Sequence, residues 1–415
     1  MLALKTAHDF LMLLEKSRLL SAGDLKSAVE RFGLDDMLTP EDVADSLVAK
    51  DLLTLYQANR LLEGRRRGLF IDDFKILELL GSGGMGYLYI AEDLDAGWDV
   101  ALKVLSDRFR NDKGMLTRFQ LEADAGLKLS HPHIVKTKAI RRTEDIYGTI
   151  HYMVMELVRG ASLHELLSIR KRTLNWRRAA DVICQTATAL HYAHELGLVH
   201  RDVKPENLLI RRDGFVKLLD FGLAMIGGNE TEFSLSSILG QSCLGTADYI
   251  APEQSLDSLN VDRRADIYAL GCTFYFLVTG RVPFPDKSVS KKLNGHRQKK
   301  PPPVRKLNPH VPDKIAKIIQ KMMAKQPKNR FQTAEEVLRF LEPLAERKSV
   351  KFDFAKLLKK RAKLAEQRLA TESKLRGDSR ASTVSKLEIG RSSRLRRSGV
   401  ETVVEKDTVI DRRKP

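Results

Sequence analysis

The sequence predicts an α+β chain in which a small β-rich lobe precedes a larger helical one, with a helical extension in front and a basic tail behind. Three observations carry that prediction. Short apolar runs of strand character begin at Phe74, helical periodicity prevails from about residue 161 to 344, and the composition turns to Ser and Arg beyond residue 345. The 43% hydrophobic fraction suits an ordinary core and excludes a chain that is mostly disordered.

Residues 1–73 read as a helical N-terminal extension. In "TPEDVADSLVAKDLLTLYQANRLLEG", Thr39 suits an N-cap, Pro40 the first helical position and Glu41 and Asp42 the first turn. Val43, Leu47, Leu52, Leu55 and Leu61 then recur at helical spacing and Gly64 can stop the run, which predicts one helix. Such an amphipathic segment serves equally as a docking or dimerisation module and as a collar on the next domain. Residues 74–344 form the main domain, with strands "FKILELL", "GYLYIAED" and "DVALKVL", helices around 114–129 and 161–196, and short strands within 206–219. Residues 345–415 form the tail, which reads as mostly disordered, although "KLLKKRAKLAEQRLA" can continue a helix. The tail also holds most of the basicity. Residues 351–415 carry 19 Lys and Arg against 9 Asp and Glu, so +10 of the net +17 lies there.

No stretch approaches the roughly 18 uninterrupted apolar residues of a membrane span. The N-terminus lacks a basic start and carries His8, Asp9 and Glu15, unlike a secretory signal. Cys184, Cys243 and Cys272 show neither CxxC spacing nor an even framework, which predicts a reducing compartment and no zinc site. The expected location is cytoplasmic.

The chemistry concentrates in a few stretches. "LVHRDVKPENLLI" (198–210) gathers five ionisable side chains between apolar edges, an arrangement that is costly unless the charges are paired or used. "LGSGGMGYLYIAED" places Gly81, Gly83 and Gly86 between two strands, where backbone N–H groups can approach a phosphate. No Lys-Ser/Thr follows, so this is not a Walker loop, and a strand rather than a helix comes next, against a dinucleotide fingerprint. Lys103 lies in the apolar strand "VALKVL" and needs a partner to keep its charge; Glu122, on the helix downstream, is the candidate. "VKLLDFGLA" offers Asp220 after a strand, and "GTADYIAPEQ" offers Thr246 and Glu253.

Taken together, residues 74–344 resemble a bacterial protein kinase of the eukaryotic-like serine/threonine (Hanks-type) family, because the glycine-rich loop, the strand lysine and the HRD, DFG and APE elements occur in order. The resemblance implies the two-lobed kinase fold and transfer of the γ-phosphate of ATP to protein Ser/Thr hydroxyls, with Mg²⁺ (or Mn²⁺) as cofactor. It implies that Asp202 handles the acceptor proton, Lys204 steadies the moving phosphoryl, and Asn207 and Asp220 hold the metal. Lys103 would grip the α- and β-phosphates, oriented by Glu122, under the loop Gly81, Ser82, Gly83, Gly84, Met85 and Gly86. Adenine would lie between Leu80, Leu88 and Ala101 above and Leu209 below, with Met155 beside it and the backbone of Glu156 and Val158 at its edge. Asp266 would brace the HRD backbone and Arg330 would pair with Glu253. Lys204 and Thr246 point to serine/threonine rather than tyrosine kinases.

Two departures stand out. Leu88 replaces the usual valine, an apolar exchange of little consequence. Gly126, one turn past Glu122, replaces a larger apolar residue, which predicts a helix that drifts unless a neighbouring side chain fills the gap. Arg201 beside Asp202 implies activation by phosphorylation of a segment holding Thr231, Ser234, Ser236, Ser237 and Ser242, with self-association for trans-autophosphorylation. The tail serines Ser379, Ser392, Ser393 and Ser398 offer candidate autophosphorylation sites, beside the plainer reading of a merely solvated, disordered tail. Charge alone would let the tail meet nucleic acid or anionic lipid, though no interleaved aromatics favour base stacking. The alternative function is a kinase-shaped scaffold that signals by binding, and the filled positions Lys103, Glu122, Asp202, Asn207 and Asp220 weigh against it. A small-molecule kinase is more distant, because "GTADYIAPEQ" is a peptide-docking element in the family.

Overall fold

Four short helices open the chain: α1 (Ala7–Ser17), α2 (Ala22–Phe32), α3 (Pro40–Ala49) and α4 (Leu55–Leu62). The computed structural model describes residues 4–36, 39–219, 221, 247–257, 260–365 and 367. Each helix starts where a hydroxyl N-cap (Thr6, Ser21, Thr39 or Thr54) accepts the backbone N–H three residues on. Such a cap stabilises a helix by about 1 kcal/mol. The shared core of the extension includes Phe10, Leu14, Val43, Leu47 and Leu61, all fully buried. The one helix expected over 39–64 is two. Asp51 takes a left-handed φ of 57°, and Thr54 and Gln57 form a second capping box that starts α4, which leaves Leu55 exposed. Apolar spacing ran through this break because Leu52 and Leu53 belong to the turn.

The extension is a collar on the next lobe. The Gln57 side-chain amide donates to Ile76 O at 2.8 Å, the Thr54 hydroxyl donates to Leu77 O, and the Tyr56 and Tyr89 rings lie 6.1 Å apart. Their target is the second strand of a six-stranded antiparallel sheet, ordered β1-β2-β3-β4-β6-β5. Its strands are β1 (Phe70–Ile71), β2 (Phe74–Ser82), β3 (Gly86–Asp93), β4 (Trp98–Leu105), β5 (Thr137–Asp145) and β6 (Gly148–Glu156). The helix α5 (Lys113–Lys128) packs beside β5.

Among the described residues, the second lobe is helical apart from a three-stranded sheet of β7 (Ala161–Ser162), β8 (Leu208–Ile210) and β9 (Val216–Leu218). The helical region expected over 161–196 divides into α6 (Leu163–Arg170) and α7 (Trp176–Glu195), parted by left-handed Lys171. Next come α8 (Arg264–Thr279), α9 (Val289–Gln298), α10 (Val304–Leu307), α11 (Asp313–Met322) and α12 (Ala334–Leu341). Helix α8 is buried almost all round, so its pattern is near-continuous apolar rather than amphipathic.

The tail does not begin at residue 345. Residues 346–365 lie against the helical lobe and end in a helix over 354–365, here α13. Val350, Phe352, Leu357, Ala362 and Ala365 are buried. Glu346 N–H donates to Arg177 O, Val350 N–H to Arg212 O, and the Arg361 guanidinium to Gly160 O and Glu165. Apolar residues spaced through this basic stretch give the segment a face to bury. The tail serines and the basic clusters beyond residue 367 lie outside the described residues. Among those described, no helix is long and apolar enough to cross a membrane.

One buried group makes the fold acid-sensitive. His296 on α9 is wholly buried, with the Tyr268 hydroxyl 2.9 Å from Nδ1. Burial first, then the charges of Lys325 and Lys292, push its pKa from 6.5 to about 3, while the Asp248 backbone opposes. The unfolded chain therefore takes up the proton first as pH falls. Stability is complete above about 6.5 and is lost progressively toward 3. Near pH 5 this one group accounts for about 2 kcal/mol. Denaturant unfolding at pH 7.5 and 5 measures it: His296→Gln is expected to flatten the pH slope by that amount, whatever its own stability.

Candidate active site

The site lies between the sheet of the first lobe and the β8–β9 edge of the second. Lys103 on β4 and Glu122 on α5 form an ion pair, with Glu122 buried and Lys103 mostly so. Each charge offsets part of the cost of burying the other.

The glycines of the β2–β3 turn differ in what requires them. At Gly86 a Cβ would collide with Val104 O of β4, so close backbone approach excludes a side chain. At Gly81 and Gly83 no atom of the described residues beyond the chain neighbours lies within 4 Å of a Cβ position, so packing among them does not explain those two. The turn is pinned from below: Ser106 N–H donates to Met85 O at 3.0 Å and Arg108 to Gly84 O at 2.7 Å. Ser82 ends β2, paired with Tyr87.

Ala101, Met155 and Val158 are buried in one apolar cluster, against which Met85, Leu88 and Leu209 pack. Leu80 sits in a β-bulge between Leu79 and Gly81, half-buried, outside that cluster. Glu156 is anchored at the start of the connection between the lobes. Its carboxylate meets Lys217 of β9 at 2.7 Å, and its N–H donates to Lys136 O.

The loop between α7 and β8 is organised by Asp266, the fully buried carboxylate near the start of α8. It accepts from His200 N at 2.8 Å and Arg201 N at 2.7 Å, and His194 Nε2 lies 2.8 Å away. Burial pushes the Asp266 pKa up, but these hydrogen bonds and the adjacent imidazoles outweigh it and hold the carboxyl below its ordinary value. With its backbone so fixed, Arg201 adopts a left-handed φ of 65°, at a cost of about 1–2 kcal/mol. Burial lowers the Arg201 pKa, with Asp266 opposing, and the Gln254 amide closes the turn on Arg201 O at 2.7 Å. The His200 imidazole packs on Phe221 and lies 2.8 Å from Leu219 O.

That scaffold brings Asp202, Lys204 and Asn207 together. Lys204 Nζ lies 2.9 and 2.7 Å from the two Asp202 carboxylate oxygens. Asn207 Nδ2 donates to Asp202 O at 2.8 Å and Oδ2 at 3.0 Å. The side-chain amide is thereby oriented with its nitrogen on Asp202, which turns its oxygen, a hard donor suited to a divalent cation, the other way. Asp220, Thr246 and the hydroxyl-bearing residues Thr231 to Ser242 lie outside the described residues. Arg330 does pair with Glu253, at 2.6 Å.

Gly126 is not a gap. Thr137 of β5, itself buried, fills the space; a Cβ at 126 would run into its hydroxyl and stand 3.0 Å from its Cβ. The drifting helix expected from that glycine gives way to a close fit, with the Lys103–Glu122 pair formed. Gly126→Leu is therefore expected to overpack this contact, destabilising the chain by about 1–3 kcal/mol. Adding Thr137→Ala should recover at least half of the loss, as a double-mutant cycle on denaturant unfolding would measure.

Four contributors escaped sequence reasoning: His194 on Asp266, Lys217 on Glu156, Thr137 against Gly126, and His164, whose Nδ1 lies 3.2 Å from Glu206. The Glu206 hydrogen bond raises the His164 pKa. No local motif marks any of them, because each works by pairing across elements far apart in sequence.

Comparison with known proteins gives the family. Residues 74–340 match the protein kinase domain family, and the chain belongs to that family. It is 36% identical over 264 residues to the serine/threonine-protein kinase PrkC of Bacillus subtilis, covering 64% of this chain and 39% of that protein. It is 35% identical over 270 residues to the serine/threonine-protein kinase PknB of Mycolicibacterium smegmatis, covering 64% and 42%. The chain thus spans about two-fifths of the length of these relatives. The crystal structure of the Mycobacterium tuberculosis PknI kinase domain superposes with a TM-score of 0.51 at 28% identity, covering 67% of this chain and 98% of that one.

Proposed function

We propose that this chain is an ATP-dependent protein-serine/threonine kinase that also phosphorylates its own activation segment. The observation that carries the reading is the constellation on the loop after α7: Asp202 held by Lys204 and Asn207, over a backbone fixed by Asp266. The apolar cluster around Ala101, Met155 and Val158 suits adenine, and the Lys103–Glu122 pair presents an ammonium to the α- and β-phosphates.

In this reading the acceptor hydroxyl oxygen bonds to the γ-phosphorus as the bond from that phosphorus to the β,γ-bridging oxygen breaks. The hydroxyl proton passes to Asp202 and ADP departs. Lys204 offsets charge on the moving phosphoryl. Asn207, and Asp220 by position, would hold magnesium or manganese, which supplies neutralisation of the phosphate charge. Catalysis is then positioning and electrostatics, the tasks this fold is built to hold rigid. The serine/threonine preference follows the relatives' names and Lys204. A cytoplasmic setting follows from the need for ATP, and protein substrates and transient self-association follow from the activity.

Incubation of the full chain with magnesium and γ-labelled ATP, followed by acid hydrolysis, tests the reading. Label on phosphoserine or phosphothreonine is expected. ATP binding without transfer, either to the chain itself or to a generic basic protein, would overturn it in favour of a scaffold.

A further inference from the structure

Away from the site just described, the helical lobe carries a cleft of about 510 Å³ at the junction of the α6–α7 turn, the end of α8 and the residues after α10. Val278, in its wall, lies 12 residues along α8 from Asp266. At 1.5 Å per residue that is ~18 Å from the catalytic loop.

The lining is chemically one-sided. Arg170, Arg172 and Arg178 all line the cleft, as does His310, and among the described residues no Asp or Glu lines it. Among the described residues none of the three arginines makes an ion pair. The acid that feels Arg178, Glu346, is bonded to Lys348. Burial, and then Arg172 and Arg178, disfavour the charge on Arg170, so each of those two lies close enough to repel it. Trp176, Leu174, Leu307 and Val278 give the same cleft an apolar share of its lining. Arg177 already covers one face of the Trp176 ring, 4.4 Å from its centroid.

Three like charges, Arg170 and Arg178 half-buried and Arg172 exposed, gathered with no ion-pair partner among the described residues, store repulsion that a polyanion would relieve. Guanidinium forks match phosphate oxygens in pairs, where a lysine offers only a point charge. The volume falls within the range of small-molecule pockets and exceeds what a single phosphate needs. We propose that this cleft is a second ligand site, built for a small molecule that joins two or more phosphates to an organic body. The arginines take the phosphates and the apolar share of the lining takes the body.

The chain has two tryptophans, so Trp98→Phe leaves Trp176, inside the cleft, as the only indole reporter. Inorganic tripolyphosphate in magnesium-free buffer is the probe for the phosphate half. Saturable change in Trp176 emission is expected, with half-saturation below about 100 μM. Arg172→Gln, at an exposed position, should weaken it at least about tenfold, and Arg170→Ala with Arg178→Ala should abolish it, while phosphoryl transfer stays at the wild-type rate. Sulfate at equal ionic strength should give no saturation. The proposal fails if emission is unchanged up to about 1 mM probe, if the response survives loss of the arginines, or if sulfate reproduces it. A phosphoserine peptide that binds more tightly than tripolyphosphate would likewise overturn it, by assigning the cleft to protein segments.

Discussion

Asp202→Asn is expected to lower the turnover number for phosphoryl transfer by about 10³-fold, within the 10²–10⁴ range typical of a positioned acid–base group. The substitution preserves volume and leaves the Asp202 backbone carbonyl, and so one Asn207 bond, intact. It removes the negative charge on which Lys204 Nζ rests at 2.7 and 2.9 Å, and it offers an amide N–H₂ where an acceptor is needed. Affinity for ATP should change little, because the nucleotide reading gives Asp202 itself no contact with the nucleotide. Single-turnover rates with labelled ATP, beside equilibrium titration of nucleotide, separate the two effects. A variant that transfers phosphate within about tenfold of wild type would remove Asp202 from the chemistry and leave it a positioning role.

The contrast between what could be read in the sequence and what could not follows the range of the interactions. Glycines at 81, 83 and 86, Lys103 in its strand and the 198–210 stretch declare themselves locally, because phosphate chemistry demands particular residue types at short spacing. Gly86 goes further: its small size answers the approach of Val104 O on the neighbouring strand β4. The hairpin β5–β6 leaves little mark in the sequence, and its first strand explains why. Beyond Thr137 it is mostly exposed, with Arg141, Arg142, Glu144 and Asp145 in its outer half, so it lacks the apolar alternation of a half-buried strand. The break after α3 hid for the opposite reason, since Leu52 and Leu53 kept up an apolar rhythm through a turn. Residues 346–365 were assigned to the tail by their charge. Yet Lys and Arg stems cover apolar surface readily, and here Arg361 reaches both Glu165 and Gly160 O. Composition measures what a segment tends to do alone, and these segments are decided by what they pack against.

Arg330→Ala is expected to be the most destabilising of the changes considered. The Arg330 side chain is fully buried, and every one of its five N–H donors has a partner. Its two terminal nitrogens grip Glu253 at 2.6 and 2.7 Å, and the remaining bonds run to Ala324 O, Arg264 O and Lys325 O at 2.7, 2.8 and 3.0 Å. The guanidinium also lies over the Tyr268 ring, 4.8 Å from its centroid. Truncation strands a partly buried carboxylate and three carbonyls, which costs about 3–5 kcal/mol even though the intact pair itself contributes far less. At 2–4 °C per kcal/mol, the melting temperature should fall by roughly 10 °C. Arg330→Lys should recover little, because an ammonium cannot fork to both Glu253 oxygens and reach the carbonyls as well. The damage should spread toward the site. Glu253 adjoins Gln254, whose amide holds Arg201 O, so the variant should also lose transfer rate at temperatures where it is still folded. Thermal unfolding and transfer rates measured on the same preparations decide this. A loss under about 1 kcal/mol would mean that the neighbouring carbonyls find water or new donors, and that the pair is not what ties residues 247–257 to the helical lobe.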